Sequence, residues 1–359
     1  MSPSQPLRVA VVGAGAFGRN HLRVYRELEQ AGEAVELATV VDSDPAAASE
    51  AAQKFGIPAF ESIEACLAAS GRIDAASICV PTIHHASAAE PLLAAGVDLL
   101  IEKPLAASLA DADRILTAAG KFGHIVQAGH LERFNPAVTA ARQHLHRPMF
   151  FESHRLSIFT PRSLDVDVVL DLMIHDLDIV LSLVASPVRE VRAVGLPVLS
   201  NKVDIANVRV EFENGCVANF TASRVSTERV RKLRFFQPHQ YLSLDFARQD
   251  LLMIDVTAAA GMDPAQLAAL AQLAQQAGQH PSAGLSLKKV QVELGEPLRL
   301  EIASFLNAVR TRVTPVVSGE DGRAALALAL EINQAIAAHA ERAGLQVPGG
   351  YPPGNNYAD

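Results

Sequence analysis

A glycine-rich hexapeptide, GAGAFG at positions 13–18, is the feature that most constrains the fold of this chain. It directly follows LRVAVV, an apolar run that predicts a buried strand over 7–12, and it precedes RNHLRVYREL, which is typical of a helix. A second strand-like run, VELATVVD, ends at Asp42, 24 residues after Gly18. A lone G-x-G-x-x-G is weak evidence, but this strand–turn–helix context indicates a dinucleotide-binding βαβ unit.

The three glycines have separate predicted roles. Gly13 permits the tight turn, Gly15 lets the backbone approach a pyrophosphate, and Gly18 lets helix and strand pack closely. We expect Asp42 to accept hydrogen bonds from the adenosine ribose hydroxyls, and its carboxylate repels a 2′-phosphate. The sequence therefore predicts NAD as the cofactor in preference to NADP, and the alternative is a glycine-rich turn that binds no nucleotide.

Strand and helix patterns continue to alternate after Asp42, with strands predicted over 73–80 and 97–102. This alternation predicts a parallel, doubly wound sheet, whose ligands bind at the carboxyl ends of the strands. The segment PTIHH (81–85) is then expected to pass near the nicotinamide, although a polar helix start explains its two histidines equally well. The predicted cofactor-binding residues are Gly13, Gly15, Phe17, Gly18, Asp42, Pro81, Thr82, His85, Glu102, Lys103 and Pro104.

Lys103 stands in the tripeptide EKP (102–104), at the predicted end of a sheet strand. Taken alone, a lysine in such a place is most often a surface residue. Because Pro104 stiffens the turn and the strand end lies on the predicted ligand edge, we interpret Lys103 as a candidate active-site cation.

The apolar run VLDLMIHDLDIV (169–180) carries three aspartates and a histidine. Apolar residues at three- and four-residue steps predict a helix, and Asp171, His175 and Asp178 fall on one stripe that Ser182 extends. A helix that is apolar nearly all round is expected to be buried, so these polar groups must line a cavity or be paired. The alternatives are a substrate pocket and a satisfied structural network.

Composition limits the function classes that this chain can serve. Its 359 residues favour two domains, and 49% hydrophobic with 19% charged residues indicate a globular protein. The net charge of −8 argues against a general nucleic-acid or anionic-membrane binder. Three widely spaced cysteines suit a reducing cytosol, and no apolar run approaches the roughly 18 residues of a membrane span. No metal-site spacing is evident, so no metal is predicted.

These motifs together resemble the Gfo/Idh/MocA family of oxidoreductases. The resemblance extends to EIASFLNAV (301–309) and TPVVSGEDGRAALALALEINQAI (314–336), so that it covers nearly the whole chain. It implies a Rossmann domain at 1–128, a substrate-binding and oligomerisation domain with a large, open, mostly antiparallel sheet at 129–347, and a tail at 348–359. It also implies a homodimer or homotetramer associated through that sheet.

A finer resemblance concerns three segments, GHLERFNPA (129–137), the stretch 155–180 and the stretch 203–226. They are similar to the family branch that includes UDP-N-acetylglucosamine 3-dehydrogenases, which supply amino-sugar synthesis for lipid A or surface polysaccharide. The resemblance implies a set of substrate-binding residues, namely Arg133, Asn135, Arg155, Arg162 and His175. A basic run, RVSTERVRKLRFF (224–236), is able to attract a diphosphate, and a solvated strand edge is its alternative interpretation.

The predicted reaction is NAD-dependent oxidation of a secondary hydroxyl of a sugar in the cytoplasm, and the resemblance points to C3 of UDP-N-acetylglucosamine. His175 is the predicted general base, Asp171 orients it, and Lys103 stabilises the developing alkoxide; a variant of this mechanism makes Lys103 the base. One alternative is the same chemistry on an unactivated polyol or aldose such as inositol. Another is a non-catalytic NAD-binding regulator.

Overall fold

The computed structural model describes residues 5–159, 166–256, 262–276 and 286–345, which divide into two compact units. The first contains the chain up to Phe134 together with Glu296–Ala327, and the second contains Asn135–Gly295 and the residues from Leu328 onward. The expected division at 128/129 differs in two respects: the boundary lies at 134/135, and 296–327 belongs to the first unit. There Gln127 Nε2 donates to Glu301 O over 3.2 Å. The expected tail at 348–359 lies outside the described residues.

Six parallel strands form the sheet described in the first unit, in the order β3-β2-β1-β4-β5-β6. From β1, the chain adds β2 and β3 on one side of the sheet and β4, β5 and β6 on the other. The carboxyl ends of β1 and β4 therefore form the topological switch point, where such sheets bind ligands. The predicted doubly wound parallel sheet is confirmed. The strands are β1 (Leu7–Val12), β2 (Val35–Val41), β3 (Ala59–Phe60), β4 (Ala75–Ile78), β5 (Asp98–Glu102) and β6 (Val126–Gly129).

Helices connect these strands, and their ends follow local capping chemistry. The side chains of Asp44, Ser62 and Ser108 each accept a backbone N–H at a helix start. Gly56 and Gly123 end two helices in the left-handed conformation. These helices are α1 (Ala16–Gln30), α2 (Pro45–Phe55), α3 (Ile63–Ala69), α4 (His85–Ala94) and α5 (Leu109–Phe122).

The second unit contains a sheet of eight described strands, in the order β14-β13-β12-β11-β7-β10-β9-β8. Every neighbouring pair is antiparallel except β7 and β10, which are parallel. The predicted large, mostly antiparallel sheet is confirmed. The strands are β7 (Phe150–Leu156), β8 (Val188–Leu196), β9 (Ile205–Phe212), β10 (Val217–Ser223), β11 (Val230–Gln237), β12 (Gln240–Asp245), β13 (Asp250–Asp255) and β14 (Ser286–Val290).

A tight hairpin joins β9 to β10 at Asn214 and Gly215. Phe212 donates its N–H to Cys216 O over 2.9 Å, and Gly215 donates its own to Phe212 O over 2.9 Å. Gly215 has φ +82°, so the loop holds three residues, with the glycine in the left-handed position.

Helices cover one face of this sheet, because inward side chains alternate along its strands. On β9, Ala206, Val208, Val210 and Phe212 are all buried. The helices that contact the sheet are α6 (Pro136–Arg142) and α7 (Ile174–Val184). A further helix of this unit, α8 (Pro264–Gln276), has nearly all of its described side chains exposed.

Two further helices complete the described chain, α9 (Pro297–Thr311) and α10 (Gly319–Arg342). The buried side of α9 adds Ile302 and Phe305 to the core of the first unit. In the part of the chain that the structure describes, no helix combines the length and the apolar character needed to cross a membrane.

Candidate functional site

The glycine turn after β1 shows why each glycine is present. A Cβ on Gly13, which has φ +100°, would lie 2.7 Å from the Cys79 carbonyl, and one on Gly18 would lie 1.8 Å from Gly13 O. A Cβ on Gly15 would meet nothing within 4 Å. Gly13 and Gly18 are therefore required by packing inside the unit, whereas the space at Gly15 is free for a ligand to approach.

The start of α1 offers backbone donors at the same place. Gly15 is the N-cap residue and supplies no side-chain cap to the first turn. Gly15, Ala16 and Phe17 are exposed, so the amide groups at this helix start are accessible to an anion. A pyrophosphate fits this arrangement.

Asp42, at the end of β2, is held by two backbone groups. Its Oδ2 accepts the Ala14 N–H over 2.6 Å, and its Oδ1 accepts the Asp44 N–H over 2.9 Å. The carboxylate is half-buried and fixed beside the glycine turn, where its remaining lone pairs can accept ribose hydroxyls. The open approach at Gly15 and the accepting carboxylate of Asp42 together fit NAD.

The residues predicted at the ends of β4 and β5 have different exposures. Pro81 is exposed, and Thr82, Lys103 and Pro104 are half-buried, so they are accessible to a ligand. His85 and Glu102 are 1% and 7% exposed. The ring of His85 contacts backbone carbonyls, which favours a structural role for it; cofactor binding by these residues stays a prediction.

The Asp171 and His175 segment is not the regular α-helix that its periodicity predicted. Val169–Met173 form a π-helix, in which the Ile174 N–H donates to Val169 O, and α7 follows. The wider turn changes the angular spacing of side chains from that of a regular α-helix. A 3.6-residue pattern cannot reveal one added residue in a turn, and such π turns recur at functional sites.

The residues of the predicted stripe differ in solvent exposure. Asp171 and His175 are half-buried, whereas Asp178 is 1% exposed. Ser182 Oγ donates to Ile179 O and accepts from Arg142. Asp171 and His175 are therefore partly accessible, and Asp178 lies inside the unit; the catalytic roles stay predictions.

Two buried aspartates fix this segment. Asp167 Oδ1 accepts the N–H groups of Val169 and Leu170, and its Oδ2 accepts from Asn333 Nδ2. Burial raises the pKa of Asp167, and these hydrogen bonds oppose the rise. Asp176, the residue that interrupts the predicted apolar face, binds Arg155 through two contacts of 2.7 and 2.9 Å.

The predicted substrate-binding residues lie mostly in internal contacts. Arg155 is 3% exposed, with its guanidinium 5.2 Å from the Phe246 ring centre in addition to the Asp176 pair. Asn135 is 2% exposed; it caps α6 and donates to Phe246 O. Arg133 is 8% exposed, with Nη2 3.8 Å from Asp321 Oδ2. These contacts favour structural roles, and Arg162 lies outside the described residues.

The basic run 224–236 is partly neutralised within the second unit. Arg224 is buried 3.6 Å from Asp204, and Arg234 binds Glu152 over 3.0 Å. Arg229 and Arg231 are exposed. The alternative interpretation as a strand edge fits these contacts better than a diphosphate site does.

Comparison with known proteins places this geometry in a family. The Gfo/Idh/MocA model, described as an oxidoreductase family with an NAD-binding Rossmann fold, matches residues 7–130, and the family's C-terminal domain matches 117–237. A UDP-N-acetylglucosamine 3-dehydrogenase of Acidithiobacillus ferrooxidans is 35% identical over 338 residues, which are 94% of this chain and 99% of that protein. The chain belongs to the Gfo/Idh/MocA oxidoreductase family.

Solved structures and other relatives agree with this assignment. The structure of the Acidithiobacillus enzyme matches with a TM-score of 0.80 at 34% identity, covering 92% of this chain and 97% of that one. An inositol 2-dehydrogenase of Corynebacterium glutamicum is 35% identical over 143 residues, 39% of this chain and 41% of that protein. An Agrobacterium radiobacter oxidoreductase crystallised with NAD⁺ shares the fold, with a TM-score of 0.77 at 16% identity over 93% and 97% of the two chains.

The family fold explains the cofactor: the first unit is an NAD-binding Rossmann domain. Sequence reasoning missed three residues that support its motifs, namely His21, Asp167 and Asp176. His21 contacts Glu102, which lies 81 residues away along the chain. Asp176 contacts Arg155, which lies 21 residues away. No local pattern links such distant partners. Asp167 had a usable signal, because an aspartate directly before a helical run is a common cap.

We expect Gly15→Ala and Gly18→Ala to separate binding from folding. Gly15→Ala should keep the melting temperature of the wild type and weaken NADH binding by about tenfold, or roughly 1.4 kcal/mol, because the methyl group occupies ligand space. Gly18→Ala should destabilise the first unit by about 3 kcal/mol, because its Cβ meets backbone. Calorimetric NADH titration and thermal unfolding measure both effects, and a Gly15→Ala protein that unfolds early would contradict this assignment.

We expect Arg155→Met and Asp176→Asn each to cost about 3 kcal/mol of unfolding free energy, because each leaves a buried charge unpaired. The double variant Arg155→Met/Asp176→Asn should lose less than the sum of the two single losses. Urea denaturation gives these values. A higher KM for a sugar substrate in Arg155→Met but not in Asp176→Asn would instead indicate that Arg155 binds substrate.

We expect Asp42→Ala to weaken NAD⁺ binding and to reduce the preference over NADP⁺ by about tenfold, because the charge that repels a 2′-phosphate is gone. Asp44→Ala is the matched control: it removes a neighbouring carboxylate that caps α2 and should leave the preference unchanged. Dissociation constants of each protein for NAD⁺ and NADP⁺ measure this preference. Tighter binding of NADP⁺ by the wild type would refute the role of Asp42.

Proposed function

We propose that this chain is an NAD-dependent dehydrogenase that oxidises the C3 hydroxyl of UDP-N-acetylglucosamine to a 3-keto sugar for amino-sugar synthesis. The observation that carries the proposal is the end-to-end match with a UDP-N-acetylglucosamine 3-dehydrogenase, which spans both units. A match to the Rossmann domain alone would say little about the sugar, because substrate binding belongs to the second unit in this proposal.

The residues divide the proposed reaction into separate tasks. When bound, NAD⁺ supplies the hydride acceptor. His175 takes the hydroxyl proton, since imidazole titrates near neutral pH, and Asp171 orients its ring and stabilises the imidazolium. Lys103 holds the hydroxyl and stabilises developing alkoxide charge. In the competing version, Lys103 is itself the proton acceptor.

Local structure supports this division of tasks. Asp171 and His175 are both half-buried beside the π turn, and the proposal requires such partial access for a proton acceptor. Lys103 is likewise half-buried at the carboxyl end of β5, the edge on which a doubly wound sheet binds its cofactor.

A second candidate substrate is a free polyol or aldose. Inositol 2-dehydrogenases are among the relatives, with matches that cover 39–54% of this chain in three of them. Incubation of the enzyme with NAD⁺ and a panel of sugars, read as NADH absorbance and product mass, separates the two. UDP-N-acetylglucosamine should be oxidised and lose two hydrogens, whereas turnover of inositol alone would favour the second candidate. An absence of NADH with every sugar would favour a non-catalytic regulator.

We also propose that the enzyme works in the cytoplasm as a homodimer or homotetramer formed through the open sheet face. Along β8 and β9 this face carries the charged side chains of Glu190, Arg192, Arg209 and Glu211. Arg192 binds Glu190, and Arg189 binds Glu211, so this face offers alternating charges to a second copy. Light scattering at micromolar concentration tests the proposal, and a monomeric mass would refute it.

We expect His175→Ala to lower turnover by about 10² to 10⁴-fold while NADH affinity stays close to that of the wild type, because a base acts only after binding. Asp171→Asn should lose mainly kcat, and Lys103→Ala should be nearly inactive. Asp178→Asn is the control from the same segment: it is buried and should lose stability more than rate. Steady-state kinetics and thermal unfolding give both quantities. If His175→Ala turned over within a few-fold of wild type, His175 would have only a structural role.

A further inference from the structure

The turn that carries Lys103 is held by side chains from two helices. It consists of Glu102, Lys103, Pro104 and Leu105, directly after β5. Glu102 and Leu105 are buried, while Lys103 and Pro104 are half-buried. A lysine side chain is long and flexible, so the position of its ammonium depends on how firmly the backbone beneath it is fixed.

His21 of α1 holds one side of this turn. The ring is fully buried, with Nε2 2.8 Å from Glu102 Oε1. The other carboxylate oxygen, Oε2, accepts the Lys103 N–H over 3.3 Å. Because the carboxylate only accepts, His21 carries its proton on Nε2 in this contact. The glycine turn, the helix that it starts and the Lys103 backbone are therefore connected through one hydrogen-bonded pair.

His85, the first residue of α4, holds the other side. Its Nδ1 lies 3.0 Å from Pro104 O and 3.3 Å from Leu105 O, and its Nε2 lies 3.0 Å from Val80 O. Burial lowers the pKa of His85, against the opposing effect of these carbonyls, and so favours the neutral ring, which has one N–H. Two carbonyls face Nδ1 and one faces Nε2.

We propose that His21 and His85 are positioning residues that fix the Lys103 turn from both sides, His21 through Nε2 and Glu102, and His85 through Nδ1 and the carbonyls of Pro104 and Leu105. The importance of this for rate rests on the proposed function of Lys103. A displacement of about 1 Å in a catalytic group is enough to cost on the order of 10²-fold in rate. Neither histidine contacts the substrate in this proposal.

Amide substitutions separate positioning from simple packing, because they keep a donor at only one ring position. An asparagine amide occupies the place of Nδ1, and a glutamine amide reaches the place of Nε2. The proposal therefore requires opposite outcomes at the two sites. His85→Asn and His21→Gln should behave like the wild type, whereas His85→Gln and His21→Asn should loosen the turn.

Competitive acetylation of lysines, read by mass spectrometry without cofactor or sugar, is the first measurement. The reactivity of Lys103 is divided by that of Lys121, an exposed lysine of α5 that serves as internal reference. We expect His85→Gln and His21→Asn to raise this ratio at least about threefold, because local opening exposes the amine, and the other two variants to leave it unchanged. The asparagine and glutamine variants of each histidine are compared at one temperature, well below the lower of their two melting temperatures.

Kinetics give the second measurement. The two loosened variants should lose about tenfold or more in kcat while NADH affinity stays within about threefold of the wild type. Equal Lys103/Lys121 acetylation ratios for the asparagine and glutamine variants at both histidines would overturn the proposal, since packing alone does not distinguish the two amides. A site at which neither amide variant folds is a folding determinant, which also overturns the proposal for that histidine. If the wild type oxidises no sugar, the proposed function fails while the acetylation pattern still decides this inference.

Discussion

Direct backbone contact between the glycine turn and the neighbouring strand end is the constraint on which the first unit depends. Gly18 sits so close to Gly13 O, and Gly13 so close to the Cys79 carbonyl, that a methyl group at either place would collide with main chain. This contact fixes where α1 starts and the direction in which it runs. Asp42 then meets the Ala14 N–H, and His21 reaches Glu102, because the helix is already in place.

The second unit uses buried charge to fix its own segment. Asp167 caps the chain before the π turn, and Asp176 pairs with Arg155 one turn beyond it. A buried carboxylate without such partners would be very costly, so these contacts specify one arrangement of the helix. Asp171 and His175 project from a segment held at both ends, which keeps them half-exposed beside residues that are fully buried.

Much of this architecture was predictable because it follows from local chemistry. The strand–glycine–helix context and the acid at Asp42 predicted the dinucleotide domain, and the alternation of strands and helices predicted its parallel sheet. The mostly antiparallel sheet of the second unit was expected from the family resemblance. The separate roles of Gly13, Gly15 and Gly18 followed from the motif alone and agree with the space around each residue. The Asn214-Gly215 pair suits the hairpin after β9, because few residues other than glycine adopt its left-handed backbone.

Sequence by itself determined the fold class, the cofactor edge and the residue types available for catalysis, since periodicity and glycine geometry act over a few neighbouring residues. Only the tertiary structure decided which polar residues are accessible and which are internal. It placed Arg155 and Asn135 in buried contacts, divided Asp178 from His175, and brought His21 and His85 to the Lys103 turn. Those outcomes depend on partners tens of residues away along the chain, and burial and pairing are properties of the packed molecule that no local pattern contains.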